Sequence, residues 1–304
     1  MSDNRSSRLQ QLAAFSNLKT TAAGATASMD YSTLLPPAWK DKVDMWLKED
    51  TPKLDWGGFI VGDEQMTASV LGKSPGVMAG VPFVDAVFEA LGCSVVWLRN
   101  EGDIITPAQA AAKEPVARVT GPARMLLLGE RTALNCMARA SGVATAAREV
   151  SDLVCSKGWA GQVCGTRKFT PGFGLVEKYS LLVGGCTTHR MDLSGMVMLK
   201  DNHIWASGSI SEATRKAKAV AGHATKVEVE VRDLAEAMEA AAAGADIVML
   251  DNFTPAEMHR DAKTFKESYP HVIIEASGEC PASTPHPFAP RTATVAAYDL
   301  QRLR

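Results

Sequence analysis

Basic side chains and one histidine follow short apolar runs in the segment 164–203. These residues are Arg167, Lys168, His189, Arg190 and Lys200. A guanidinium group binds carboxylates and phosphates through paired, charge-assisted hydrogen bonds, and a lysine adds a point charge. The segment therefore predicts a pocket for a small molecule that carries several negative charges.

Polar residues also end the apolar runs that come later in the chain. They are Glu230, Asp251 with Asn252, and the sequence Glu275-Ala276-Ser277-Gly278. In parallel α/β barrels the active site is built at the carboxyl ends of the strands. A single charged residue after a strand usually lies in a solvated turn. Several successive apolar runs that end in polar residues favour a functional site. Glu228 lies two positions before Glu230, so both carboxylates share one face of a strand.

The elements that position these residues alternate between short apolar runs and helical patterns. The runs are 162–165, 196–199, 226–231, 246–250 and 272–274, and the helices are 233–244 and 255–269. This alternation predicts a parallel sheet buried on both faces, either a barrel or a doubly wound sheet. The preceding part of the chain predicts mixed α/β structure, with helices at 36–47 and 121–140 and strands at 57–61, 94–98 and 116–119.

Composition narrows the class of protein. The chain has 304 residues, of which 46% are hydrophobic, enough for a large core. A net charge of −2 argues against a nucleic-acid-binding surface, and no apolar stretch approaches the roughly 20 residues of a membrane helix. Neither a dinucleotide-binding glycine motif nor a P-loop is present.

The six cysteines form no C-x-x-C pair and no tight His/Cys cluster, so the sequence predicts buried, reduced thiols and no zinc site. Reduced thiols fit a cytoplasmic protein, and nuclear presence stays open.

Residues 1–28 are rich in Ser, Thr and Ala, and we interpret them as a disordered extension in preference to a mitochondrial targeting segment.

With these residues in view, the chain resembles the quinolinate phosphoribosyltransferases from about Leu34 to Gly278. The resemblance rests on G-E-R-T-A-L-N at 129–135, A-R-A-S-G at 138–142, G-T-R-K at 165–168, L-V-G-G at 182–185, H-R at 189–190, K-D-N-H at 200–203, V-E-V-E at 227–230, L-D-N at 250–252 and E-A-S-G at 275–278. Together these motifs are highly specific.

The resemblance implies an N-terminal α/β sandwich domain at 29–142, followed by an open α/β barrel at 143–279. It also implies a homo-oligomer built from dimers, as a homodimer or a hexamer, with no nucleic-acid or membrane partner. The implied reaction joins quinolinate and phosphoribosyl pyrophosphate with Mg²⁺, without an organic cofactor, and gives nicotinate mononucleotide, pyrophosphate and carbon dioxide.

The family's roles fall on matching positions. Arg167, His189 and Arg190 are expected to bind the two carboxylates of quinolinate, together with Arg131 from the partner subunit. For Arg131 an ion pair with a surface acid is the alternative. The expected catalytic residues are Lys168 and Lys200, near the substrate anion and phosphates, and Glu230 and Asp251, near the ribose hydroxyls and, indirectly, Mg²⁺. Ser277 and Gly278 begin the loop for the 5′-phosphate.

The chain also departs from the family pattern. Phe169 replaces a small hydroxyl residue, Gly174 replaces an arginine, and Glu279 replaces the second glycine of the phosphate loop. Residues 280–304 contain Pro281, Pro285, Pro287 and Pro290 and lack barrel periodicity, so we predict a disordered tail and an incomplete barrel that lacks its last strands. These changes predict weak turnover by this chain.

Two alternatives follow. The first is a phosphoribosyltransferase for a monocarboxylate such as nicotinate, although the cluster holds more cations than one carboxylate needs. The second is a catalytically impaired paralogue that acts only as a ligand- or partner-binding protein.

Overall fold

A computed structural model describes residues 29–159 and 161–278. Predictions that concern residues 1–28 and 279–304, including the disordered extension, the tail and the missing strands, lie outside the described residues. The helices are α1 (Lys40–Asp50), α2 (Trp56–Val61), α3 (Val81–Ala90), α4 (Pro107–Ala112), α5 (Ala123–Ser156), α6 (Gly174–Val183), α7 (Asp201–Ser207), α8 (Ile210–Ala221), α9 (Leu234–Ala242) and α10 (Pro255–Ser268). The strands are β1 (Gln65–Leu71), β2 (Gly76–Val77), β3 (Ser94–Trp97), β4 (Ile104–Ile105), β5 (Pro115–Pro122), β6 (Val197–Leu199), β7 (Val227–Val231), β8 (Ile247–Asp251) and β9 (Ile273–Ser277).

The first part of the chain is an antiparallel sheet covered by helices. Its strand order is β1-β5-β3, and β2 and β4 form a separate antiparallel pair. Val84, Val87 and Phe88 of α3 pack with Val119 of β5 and Leu126 of α5 in one buried cluster. The predicted strands at 94–98 and 116–119 are confirmed as β3 and β5.

The second part is a parallel sheet in the order β6-β7-β8-β9, which confirms the predicted α/β class. Val227, Val229 and Val231 are fully buried, and their cluster includes apolar residues of α8, α9 and α10. Each of these helices begins at a side-chain cap, from Ser209, Asp233 and Thr254 respectively. Because strands and helices alternate, all four strands present their carboxyl ends at one edge.

Three sequence predictions need correction. Residues 57–61 form helix α2 and not a strand, because the Asp55 carboxylate caps the helix by accepting from the Gly58 N–H at 2.9 Å. The helix predicted at 121–140 runs from 123 to 156 and passes through position 142, where the sequence places a domain boundary. The apolar run 162–165 makes only an isolated parallel bridge, between Cys164 and Thr187.

The cysteines only partly follow the prediction of buried thiols. Cys136, Cys164 and Cys186 are buried and no described cysteine forms a disulfide, but Cys93 is half-buried and Cys155 is exposed. Among the helices in the described ranges, none is long and apolar enough to cross a membrane.

Candidate active site

The carboxyl edge of the parallel sheet carries four of the predicted site residues. Lys200 follows β6, Glu230 lies near the end of β7, and Asp251 and Ser277 end β8 and β9. The register pairs Leu199 with Val229 and Asp251 with Ser277, so these residues lie along one rim. The structure thus brings together side chains that are widely separated in the sequence.

Lys200 and Glu230 form a direct ion pair on this rim. The Glu230 side chain is mostly buried, and that of Lys200 is 43% exposed, so the pair lies at the mouth of the site. The backbone N–H of Lys200 donates to Nδ1 of His203 at 3.1 Å, which fixes the start of α7. His203 therefore supports the position of Lys200.

Asp251 is oriented by its neighbour Asn252. The Asn252 amide donates to the Asp251 carboxylate at 2.7 Å, and its backbone N–H donates to the Ser277 carbonyl at 2.8 Å. Asn252 has a φ of 57°, a left-handed conformation that Asn tolerates better than most residues. The turn therefore aligns Asp251 with Ser277 and Gly278, where the sequence places the phosphate loop.

His189 lies between two buried carboxylates from different strands. Its Nε2 is 3.4 Å from Glu228 Oε2 of β7 and 3.2 Å from Glu275 Oε2 of β9. Its φ of 53° is unusual for a non-glycine residue and is typical of a constrained functional position. The Glu228 carboxylate, followed by that of Glu275, raises the pKa of His189 to about 9, so the imidazole is cationic near neutral pH.

Arg167 lies close enough to Arg190 to disfavour the charge of Arg190. Burial lowers the pKa of Arg190, and the Arg167 guanidinium adds to this effect, whereas Glu228 and Glu275 oppose it. Arg167 is exposed and Arg190 is half-buried. Two neighbouring guanidinium groups beside a cationic imidazole form a region that an anion would stabilise.

Lys178 of α6 is a site residue that the sequence prediction missed. It is 2% exposed, and its Nζ donates to the carbonyls of Gly165, at 3.1 Å, and Thr188. It thereby joins the segment that carries Arg167 to the segment that carries His189. Burial lowers the pKa of Lys178 to about 8. The available signal was a charged pair, Glu177-Lys178, inside an otherwise apolar helix.

A second missed group is the ion pair between Arg139 of α5 and Glu177 of α6. Arg139 Nε donates to Glu177 Oε1 at 2.9 Å, and the other carboxylate oxygen accepts from the Thr170 N–H at 3.3 Å. Glu177 is buried. The pair therefore holds the loop after Arg167 against the long helix.

Two predicted residues remain apart from this cluster within the single chain. Arg131 of α5 is 63% exposed, and its ion pair, at 3.8 Å, is with the adjacent Glu130. Lys168 is exposed, and its N–H donates to Thr166 Oγ1 at 3.1 Å. The Arg131–Glu130 pair matches the alternative of a surface ion pair, and a role of Arg131 in a partner's site stays a prediction.

The fold also brings together three potential metal ligands. Cys164, His189 and Glu275 each offer one potential ligand atom, and these atoms lie within 4.8 Å of one another. The sequence did not predict this group because its members are far apart in the chain.

The described fold is an antiparallel α/β unit followed by a parallel α/β sheet, and the carboxyl rim of the parallel sheet carries cations and carboxylates. This arrangement is typical of a two-part transferase for anionic ligands. The chain belongs to the quinolinate phosphoribosyl transferase family, and it is therefore a phosphoribosyltransferase enzyme. The family model of the N-terminal domain matches residues 51–141, and that of the C-terminal domain matches residues 143–295.

Comparisons with individual proteins agree with this family. The chain is 53% identical to the rat nicotinate-nucleotide pyrophosphorylase [carboxylating] and 50% identical to the human one, over 246 residues that cover 81% of each chain. The solved structure of nicotinate-nucleotide pyrophosphorylase from Francisella tularensis matches with a TM-score of 0.71 and 30% identity, covering 81% of this chain and 85% of that one. NadC from Streptococcus pyogenes matches with a TM-score of 0.71 and 31% identity, covering 85% and 87%.

Proposed function

We propose that this chain binds quinolinate and transfers a phosphoribosyl group to its ring nitrogen, with release of pyrophosphate and carbon dioxide. The observation that carries the proposal is the cationic group of Arg167, Arg190 and the protonated His189. Two adjacent carboxylates on one pyridine ring satisfy three neighbouring cations, whereas a monocarboxylate leaves part of that charge unbalanced. This argues for quinolinate over nicotinate.

The transfer step forms a bond between the pyridine nitrogen and C1 of the ribose while the bond from C1 to pyrophosphate breaks. Positive charge develops on the ribose in this transition state, and Glu230 and Asp251 on the sheet rim are placed to stabilise it. Lys200 lies beside Glu230 and adds a positive charge for the leaving group.

Mg²⁺ fits this rim as a metal held mainly by substrate phosphates. Glu230 and Asp251 are half-buried carboxylates at the ends of neighbouring strands, and Mg²⁺ is usually bound through one or two carboxylates in addition to phosphate oxygens. Glu230 and Asp251 would hold such an ion, and its positive charge would offset that of the pyrophosphate group.

Decarboxylation follows ribosylation in this proposal. When the bond from ring carbon C2 to its carboxylate breaks, the electron pair remains at C2, and carbon dioxide leaves. The positive ring nitrogen formed by ribosylation stabilises this electron pair, and a proton then replaces the carboxylate. The sequence of steps needs no organic cofactor, and it needs a pocket that keeps the cationic ring oriented.

The phosphate end of the site limits turnover in this chain. Ser277 and Gly278 are half-buried on the rim, whereas Glu279 and the residues after it lie outside the described part. A carboxylate about 4 Å from a phosphate charge costs roughly 4 kcal/mol per charge pair at an effective dielectric constant near 20. We therefore place the weakness of the enzyme in phosphoribosyl pyrophosphate binding and not in quinolinate binding.

The active assembly is a homo-oligomer built from dimers in this proposal. Arg131 is mostly exposed on α5, so a neighbouring subunit can receive it. We place the protein in the cytoplasm, where its buried thiols stay reduced.

Calorimetry with quinolinate and nicotinate tests the substrate assignment. Quinolinate is expected to bind more tightly, because the missing carboxylate of nicotinate leaves part of the cationic group without a partner. Equal affinities contradict a dicarboxylate site and favour the nicotinate alternative.

Turnover tests the rest of the proposal. Formation of nicotinate mononucleotide is measured for this chain and for a variant in which the residues after Gly278 are replaced by a family-like ending. The variant is expected to have the lower KM for phosphoribosyl pyrophosphate, with unchanged quinolinate affinity. Binding without turnover in both proteins would favour the ligand-binding alternative, and equal turnover would show that the tail is harmless.

A further inference from the structure

Four buried side chains converge between the Cys164–Thr187 bridge and the parallel sheet. Cys164, His189 and Glu275 place their potential ligand atoms within 4.8 Å of one another, and the Glu228 carboxylate approaches His189 from β7. We infer that Cys164, His189 and Glu275, with the Glu228 carboxylate beside them, form a binding site for Zn²⁺. This site is distinct from the rim of Glu230 and Asp251, where Mg²⁺ is proposed to bind.

Unsatisfied polar atoms in this cluster point to a ligand. Among the described residues, His189 Nε2, both carboxylate oxygens of Glu228 and Oε2 of Glu275 are buried and lack a hydrogen-bond partner. Glu228 is 0% exposed and Glu275 is 1% exposed. His189 faces both carboxylates through a single nitrogen and cannot hydrogen-bond fully to either, so a bound cation would supply the missing interaction.

The spacing of the donor atoms suits a tetrahedral ion. Nitrogen and oxygen ligands bind Zn²⁺ at about 2.0–2.1 Å, so two such ligands in a tetrahedron lie about 3.3–3.4 Å apart. His189 Nε2 is 3.4 Å and 3.2 Å from the oxygens of Glu228 and Glu275. The carboxylates therefore already lie at the distances of neighbouring ligands.

The chemistry of the donors selects the metal. A thiolate and an imidazole favour Zn²⁺ over Mg²⁺ and Ca²⁺, which prefer oxygen ligands. Cys164, His189 and Glu275 supply three protein ligands, and zinc sites with three protein ligands keep a fourth position open to water or another ligand.

The charges around the cluster also balance. Two carboxylates and a thiolate oppose the dipositive ion, and the adjacent Lys178 ammonium offsets the remaining negative charge. Because Zn²⁺ binds a thiolate and a neutral imidazole, binding releases the thiol proton of Cys164 and the Nε2 proton of a cationic His189 to solvent. The neighbouring Arg167 and Arg190 oppose a further cation.

Occupation of this site would inhibit the enzyme. A zinc-bound His189 is neutral and held by the metal, so it no longer offers a positive charge to a substrate carboxylate. Zn²⁺ and quinolinate should therefore compete, a consequence that rests on the proposed function, whereas zinc binding itself does not.

Direct metal binding tests the site. Metal-free protein is titrated with ZnCl₂ by calorimetry, and with CoCl₂ while the thiolate-to-cobalt charge-transfer absorption is recorded. Cys164→Ala is expected to lose the absorption band and to weaken zinc binding by at least about tenfold. Removal of a residue that only orients a metal ligand already weakens metal binding by about 10–100-fold, and removal of a ligand should cost at least as much. Cys155→Ala, which removes an exposed thiol, is the matched control and should retain both signals.

Wild-type cobalt spectra keep the test independent of how well the variant folds. The absence of a thiolate band in the wild-type protein overturns the site, and so does equal zinc affinity in folded Cys164→Ala. Competition is tested last, by quinolinate calorimetry with and without stoichiometric Zn²⁺. A zinc site without competition would leave the metal inference standing and contradict the assigned role of His189 in quinolinate binding.

Discussion

The ring of Phe169 lies over Gly174, the first residue of α6, so closely that a Cβ at position 174 would be 2.7 Å from Phe169 Cε2. The resemblance implied other residues at both positions, a small hydroxyl residue at 169 and an arginine at 174. The large ring occupies the space that a side chain at 174 would need. Phe169 and the absence of a side chain at Gly174 are therefore structurally coupled beside the Arg167 loop.

This contact predicts a coupling between the two positions. Gly174→Ala should destabilise the protein, because the new Cβ overlaps the ring, although alanine in a helix is otherwise favoured by up to about 1 kcal/mol. In a Phe169→Ala background the same substitution should be neutral or stabilising. A double-mutant cycle from urea unfolding should give a coupling energy of about 0.5–3 kcal/mol. Additive effects would show that the ring moves away at little cost.

Arg167→Lys should weaken quinolinate binding by about 1.5–3 kcal/mol, although the positive charge is retained, because lysine cannot form the paired hydrogen bonds of a guanidinium group. Calorimetry measures the change. Arg118→Lys, at an exposed position of β5, is the control and should bind normally. Unchanged affinity in Arg167→Lys would place this residue outside the pocket.

The Arg139–Glu177 pair should matter for both stability and binding. Glu177→Gln removes a buried charge that faces Arg139 and weakens the contact to Thr170, so unfolding should become easier by on the order of 3 kcal/mol. Quinolinate affinity should also fall, because the loop after Arg167 loses its support. Glu212→Gln, in an exposed pair with Lys216, should change neither quantity appreciably. A stable variant with normal binding would contradict the supporting role.

The pKa of His189 predicts a pH-dependent contribution to stability. The pKa of His189 in the folded protein, about 9, exceeds the ordinary value of 6.5. The stabilisation of the folded state by the protonated imidazole is therefore complete below pH 6.5 and is lost as the pH rises through about 9. Lys178 contributes in the opposite sense, because its pKa in the folded protein, about 8, lies below the ordinary value of 10.5. The comparison below is between two proteins that both contain Lys178.

The measurement is urea unfolding of the wild type and of His189→Gln across this pH range. The difference in unfolding free energy should shrink with rising pH, whereas the exposed His223→Gln should show no such trend. A difference that is constant with pH would mean that His189 does not hold its proton against Glu228 and Glu275.

The sequence by itself determined the residue types of the site and the elements that carry them. Alternating apolar runs and helical periods indicated β7, β8 and β9, and the polar residues Glu230 and Asp251 at their ends could be placed on one rim. This succeeds because parallel strands joined by helices must share a carboxyl edge. Local patterns failed at 57–61, where a capping carboxylate converts an apolar run into a helix.

Only the tertiary structure decided which buried groups act on one another. His189 meets Glu228 and Glu275 from two different strands, and Lys178 bridges the carbonyls of Gly165 and Thr188. No local pattern encodes these contacts, because they depend on how distant segments pack. The charge state of His189 follows from the two carboxylates that the fold brings to it, because burial alone would lower the pKa of the imidazole. This convergence is a property of the fold and not of any one segment.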